Sequence, residues 1–163
     1  MNKNILSCNQ KSLKKIIGKK IIKVERQIFK DDDDLDDYEQ NADGYIQFTF
    51  DDNFIIYFFP LTELESIGVK EIEMPKLGDS YQWINPSCNE FWSNKTNVVI
   101  TAIDVIISRF RTCSQPMEHA LTFHLKNSQQ FSIEFMSDDN CLDTLRVVGK
   151  ITTEESIVLM NIF

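Results

Sequence analysis

The most chemically distinctive stretch of this sequence runs from Asp31 to Gly44. Six aspartates fall in seven positions (Asp31, Asp32, Asp33, Asp34, Asp36, Asp37), followed by Tyr38, Glu39 and Asp43. A calcium loop places oxygen ligands at alternate positions, a glycine at the sixth place for the turn and a glutamate at the twelfth. Leu35 breaks that alternation and no glycine comes before Gly44, so no built cation site is written here. Three uses stay open. The run can be a self-repelling, solubilising loop. The lysines that precede it can neutralise it, in exposed pairs contributing about 0–1 kcal/mol each. Spaced like the charges of a phosphodiester backbone, the carboxylates also suit a basic groove on another protein, with association speeded by steering. Tyr38 would supply that contact with an aromatic anchor.

Catalytic chemistry is poorly represented. His119 and His124 are the only histidines, and no Ser or Cys stands in a recognisable nucleophile elbow. His124 alternates with apolar residues, which turns it towards solvent or a partner together with Thr122 and Lys126. Five scattered glycines build no phosphate-cradling loop. Cys8, Cys88, Cys113 and Cys141 form no C-x-x-C pair, so they read as four free thiols without a zinc or redox site. The expectation is a chain that is not an enzyme and needs no cofactor or metal. Trp83 and Trp92, in an aromatic stretch with Tyr81 and Phe91, suit either satellite packing or a partner-binding patch.

The charge is unevenly spread. Met1 to Lys30 hold nine Lys and Arg against one Glu, and the next fourteen residues hold eight acids and no base. The net charge of −8 disfavours nucleic acid and anionic membrane surfaces and favours basic partners. No apolar run approaches the ~18 residues that cross a bilayer, and the N-terminus lacks the apolar stretch of a signal peptide. A cytoplasmic protein is expected. With 163 residues, 42% of them hydrophobic, the chain suits one domain with its own core.

The elements that would position these residues are mostly strands. Ser12 caps a short helix, Leu13–Ile17, which Gly18 ends. Lys20–Phe29 mixes β-branched residues with charges, Tyr45–Phe50 alternates Ile46, Phe48 and Phe50 with polar residues, and Phe54–Phe59 is apolar on both faces. Pro60 is read as the end of that strand, and Glu65–Glu73 as another. Residues 74–96 read as a connector, with one helical turn at Pro86–Trp92. Asn97–Phe110, His119–Lys126, Gln130–Met136 and Leu142–Val148 read as four further strands. Thr152–Phe163 fits a helix and a strand equally well.

The halves repeat one order of parts: strand, loop, alternating strand, tight turn, apolar strand, strand. The fold expected is mainly β, with α+β as its limit. It has pseudo-repeats at 13–73 and 97–150, each a four-stranded antiparallel meander, forming a sandwich or one continuous sheet, with short helices. The segments Leu13-Lys-Lys-Ile-Ile-Gly-Lys-Lys-Ile-Ile-Lys-Val24 and Glu65-Ser-Ile-Gly-Val69, and the passage from Asn89-Glu-Phe-Trp92 to Ile103-Asp-Val105, resemble small acidic bacterial immunity proteins of polymorphic toxin systems. That resemblance implies a protein that binds and neutralises one cognate, basic toxin, for which a nuclease is a candidate. The alternative is a non-catalytic assembly module, for example a homodimer in which an apolar sheet edge pairs with a second copy.

Overall fold

The computed structural model describes residues 9–30, 41–42, 44–108, 117–137, 143–151 and 157–161. It is mainly β, as expected. Among the described residues, eleven strands form two antiparallel sheets: β1 (Ile21–Phe29), β2 (Asn41–Ala42), β3 (Ile46–Phe50), β4 (Ile55–Leu61), β5 (Ser66–Lys70), β6 (Tyr81–Ile84), β7 (Ile100–Ser108), β8 (Met117–Leu125), β9 (Gln130–Ser137), β10 (Asp143–Val148) and β11 (Ile157–Asn161). The first sheet runs β5-β4-β3-β1-β6 and the second β11-β7-β8-β9-β10-β2. The sheets face each other and share one core cluster, which makes the fold a sandwich.

Period-two alternation decides which face of each strand is buried. Ile46, Phe48 and Phe50 on β3, Ile56 and Phe58 on β4, and Ile67 and Val69 on β5 meet Leu121, Phe123 and Leu125 on β8 and Phe131, Ile133 and Phe135 on β9. Phe48 is central. Its ring lies edge-on to Phe58 at 5.2 Å between centroids, to Trp92 at 5.8 Å, and to Phe123 and Phe131 at 5.9 Å each. Edge-to-face rings of this kind add to the burial of apolar area.

The four-strand meanders are present, β1-β3-β4-β5 and β7-β8-β9-β10, and each gains a fifth strand that returns to pair with its first. β6, inside the stretch read as a connector, pairs with β1, and β11 pairs with β7. The five-strand order is therefore the same in both halves. The C-terminal ambiguity resolves to strand over residues 157–161. Where β1 and β7 begin, the sheets are laced together: Gly18 N–H donates to Ile100 O at 2.8 Å, Ile100 N–H to Lys19 O at 2.9 Å and Asn97 N–H to Ile21 O at 2.8 Å. On the opposite side Ser66 Oγ donates to Glu118 O.

Local readings differ in detail. The first helix spans Gln10–Lys14 after Asn9, not Ser12, and Gly18 beyond it takes φ +86°. Pro60 lies inside β4, since β3 pairs only with Ile55–Phe58 and the missing N–H falls where β4 has outrun it. Pro86–Trp92 splits into a 3-10 turn, Pro86–Cys88, and a helix, Glu90–Ser93, capped by Asn89 Oδ1 on the Trp92 N–H at 3.0 Å. Among the described residues no helix is long and apolar enough to cross a membrane.

Candidate partner-binding site

Asp31, Asp32, Asp33, Asp34, Asp36, Asp37, Tyr38 and Glu39 lie outside the described residues, but both feet of their segment are placed. On the near side β1 ends at Phe29, and the next residue, Lys30, donates its N–H to Ser80 O at 2.8 Å beside β6. On the far side Asn41 and Ala42 pair with Arg146 and Leu145 of β10. The segment thus leaves from the first sheet and lands on the edge of the second.

Arg26 links the two feet. It stands on the core face of β1 between Val24 and Ile28, is 1% exposed, and donates from Nη2 to the carbonyl of Leu145, the residue registered with Ala42. A buried guanidinium must be hydrogen-bonded to be tolerated. The sequence held a signal for it, because strand parity puts Arg26 on the same face as its apolar neighbours.

Four of the lysines leading into the segment hold partners within the two sheets and their loops. Lys15 Nζ pairs with Glu71 at 2.6 Å, Lys19 Nζ with Asp52 at 2.6 Å, and Lys23 Nζ with Glu25 at 2.7 Å. Lys30 Nζ donates to the carbonyl of Asp79. The Lys15 ammonium holds the Glu71 carboxyl below its ordinary range, and Lys19 does the same to Asp52. The ammonium of Lys19 also lies 4.2 Å from the ring centre of Phe54.

The two tryptophans expected to share a patch have separate roles. Trp92 is 3% exposed and packs at 5.0 Å on Phe131, so it belongs to the core and its indole offers no surface to a partner. The reason is the helix that Asn89 caps, which turns Trp92 inward against Phe48. Trp83 is half-buried on the outer face of the first sheet, 6.5 Å from the ring of Tyr57. Phe29, 38% exposed, meets Tyr81 edge-on at 5.6 Å at the near foot of the acidic segment.

The outer face of the second sheet carries a polar network that sequence reading left unassembled. His124 lies on that face as expected, with Nε2 2.7 Å from Asp104 Oδ2. Thr122 and Ser132 share a hydrogen bond at 2.8 Å. Glu134 bonds Arg146 at 2.6 Å through one oxygen and lies 3.7 Å from His119 Nε2 through the other. Burial holds the His119 imidazole below its usual range, against the opposing pull of Glu134 and a Met117 backbone hydrogen bond. These contacts run across neighbouring strands of the sheet. Among the described residues no three His, Cys, Asp or Glu converge as a metal site. Cys88 is a free, exposed thiol, and the other three cysteines lie outside the described residues. Compared with protein-family models, curated proteins and solved structures, the chain matches none.

Proposed function

We propose that this protein is an immunity-type binder that neutralises a cognate, basic bacterial toxin, with a nuclease the best fit to its charge. It works stoichiometrically in the cytoplasm, and Asp31 to Glu39 is its recognition segment. The observation that carries the reading is the pairing of the basic arm. Lys15, Lys19 and Lys23 face Glu71, Asp52 and Glu25, and Arg26 is committed to the Leu145 carbonyl in the core. The positive charge of these three lysines is balanced locally, which favours presentation of the aspartates over their neutralisation by Lys15, Lys19 and Lys23. Two feet on different sheets further suit a segment held out at one end of the sandwich. A row of carboxylates there would accelerate encounter with a basic groove by long-range attraction.

The test replaces Asp31, Asp32, Asp33, Asp34, Asp36 and Asp37 with Ser and measures association with the toxin encoded beside this protein. At low salt the association rate is expected to drop by about tenfold or more, with a flatter salt dependence. An unchanged rate and salt slope would remove the segment from the account.

A further inference from the structure

Residues 71–80, Glu-Ile-Glu-Met-Pro-Lys-Leu-Gly-Asp-Ser, run from the end of β5 to the start of β6, which lie on opposite edges of the first sheet. Four strand spacings of about 4.8 Å separate those edges, so the connector has to cross the outer face as a strap. It is pinned from end to end. Glu71 pairs with Lys15 at 2.6 Å, and the Met74 backbone hydrogen-bonds the Tyr57 phenol. The buried Gln27 amide donates to Pro75 O and accepts the Leu77 N–H, and Lys30 donates to the carbonyls of Asp79 and Ser80. Past Glu71 the sandwich grips the strap by its backbone, which leaves the side chains to face outward.

Two of those side chains are large and apolar. Ile72 is 74% exposed and Leu77 45%, and Phe29, also exposed, abuts Tyr81 where the strap enters β6. Of the five large apolar residues that are exposed among the described residues, three therefore lie on the strap or at its end. Glu73, Lys76 and Asp79, all exposed, alternate with them along the chain. Apolar groups rimmed by charge mark a contact surface, and a backbone already fixed loses little freedom when a partner docks.

Charge selects the occupant. With Glu71 paired to Lys15, Glu73 and Asp79 outnumber Lys76, and the acidic run starts at Asp31, next to the Lys30 that bonds the last two residues of the strap. A second copy would bring the same acids to the same place, and an anionic lipid surface would be repelled. A basic protein surface carrying apolar residues meets neither obstacle. We propose that the strap is a second contact for the basic protein partner, in which Ile72 and Leu77 are the apolar anchors that retain what the acidic segment attracts. This inference rests on the function proposed above. The two parts divide the kinetics, because long-range attraction acts on association and desolvated apolar contact acts on dissociation.

Binding kinetics with the toxin encoded beside this protein test the division. Ile72→Ser combined with Leu77→Ser should raise the dissociation rate about tenfold or more, with the association rate and its salt slope unchanged. The urea midpoint should not move, since both side chains are exposed and Gln27 bonds only backbone atoms of the strap. A photo-crosslinking side chain at Lys76 should become joined to the toxin. One at Gln130, registered with His124 on the outer face of the second sheet, should not. If the toxin binds the unmodified chain but leaves the double variant with an unchanged dissociation rate, or is joined at Gln130 and not at Lys76, the strap is overturned and the proposed function stands. If the unmodified chain does not bind the toxin, both fall. A mass for the chain alone above 19.0 kDa that returns to that value in the double variant would assign the strap to a second copy and overturn the proposal as well.

Discussion

On the first sheet the outer face is covered by the chain itself. Residues 71–80 carry it from β5 on one edge to β6 on the other, and Gln27, fully buried beneath, donates Nε2 to Pro75 O at 3.2 Å and accepts the Leu77 N–H at 3.2 Å. Tyr57 lies under the same strap, its phenol pKa raised by burial and by the nearby Glu73 against the opposing pull of a Met74 backbone hydrogen bond. On the second sheet the outer face instead holds Asp104 with His124, Thr122 with Ser132, and Glu134 between Arg146 and His119. The order of five strands is common to both sheets, with β2 added to the second, yet the strap on the first face is held by a neutral amide while the contacts on the second run between ionisable groups. The inward-facing set of side chains, apolar in both halves apart from Arg26, accounts for the common architecture. The outward-facing sets differ, so the two faces should respond differently to the same perturbation.

The largest effect is expected where the sheets are indistinguishable, in their shared core. Phe48→Ala removes the ring that touches Phe58, Trp92, Phe123 and Phe131 across the sandwich. Urea unfolding should show a loss of about 3–5 kcal/mol. A loss under about 1 kcal/mol would mean that the core can collapse around the gap and that the sheets do not depend on each other.

That core was legible in the sequence because its signal is local. Ile46, Phe48 and Phe50, or Phe131, Ile133 and Phe135, declare a buried face by alternation alone. β6 was not legible. Tyr81–Ile84 is too short to show a period, and it is a strand because β1, more than fifty residues earlier in the chain, offers it an edge. The two-residue β2 is hidden for the same reason. Of the candidate site, the acidic segment announced itself by composition, whereas its anchorage depends on Arg26 reaching Leu145 across the sandwich, which no sequence window contains. For Trp92 the sequence left packing and a binding patch both open, and packing prevails because the Asn89 cap turns the indole inward.

A middling effect is expected from uncovering the first sheet. Gln27→Leu keeps the volume but leaves the Pro75 carbonyl and the Leu77 N–H without their partner, a change of about 1–3 kcal/mol. Because an amide does not titrate, the loss should be equal at neutral and mildly acidic pH. A loss that grows on acidification would erase the contrast between the faces.

The smallest effect, and the one specific to the second sheet, belongs to His119. Burial depresses its folded-state pKa below the ordinary histidine value near 6.5, so the unfolded chain takes up a proton that the folded chain refuses. The sign follows: stability is unaffected well above that value and declines as pH falls through it towards the depressed folded value. The slope approaches about 1.4 kcal/mol per pH unit for a single proton. His119→Gln removes this contribution. Its stability at pH 8 differs from the wild type by a constant offset, and that offset should shift in favour of the variant as the pH is lowered through the mildly acidic range. Glu134 works against the effect, since a protonated imidazole 3.7 Å from a carboxylate is partly compensated, but that carboxylate already holds Arg146 at 2.6 Å. Parallel stability–pH curves for the two proteins would show that the second face is as insensitive to acid as the first.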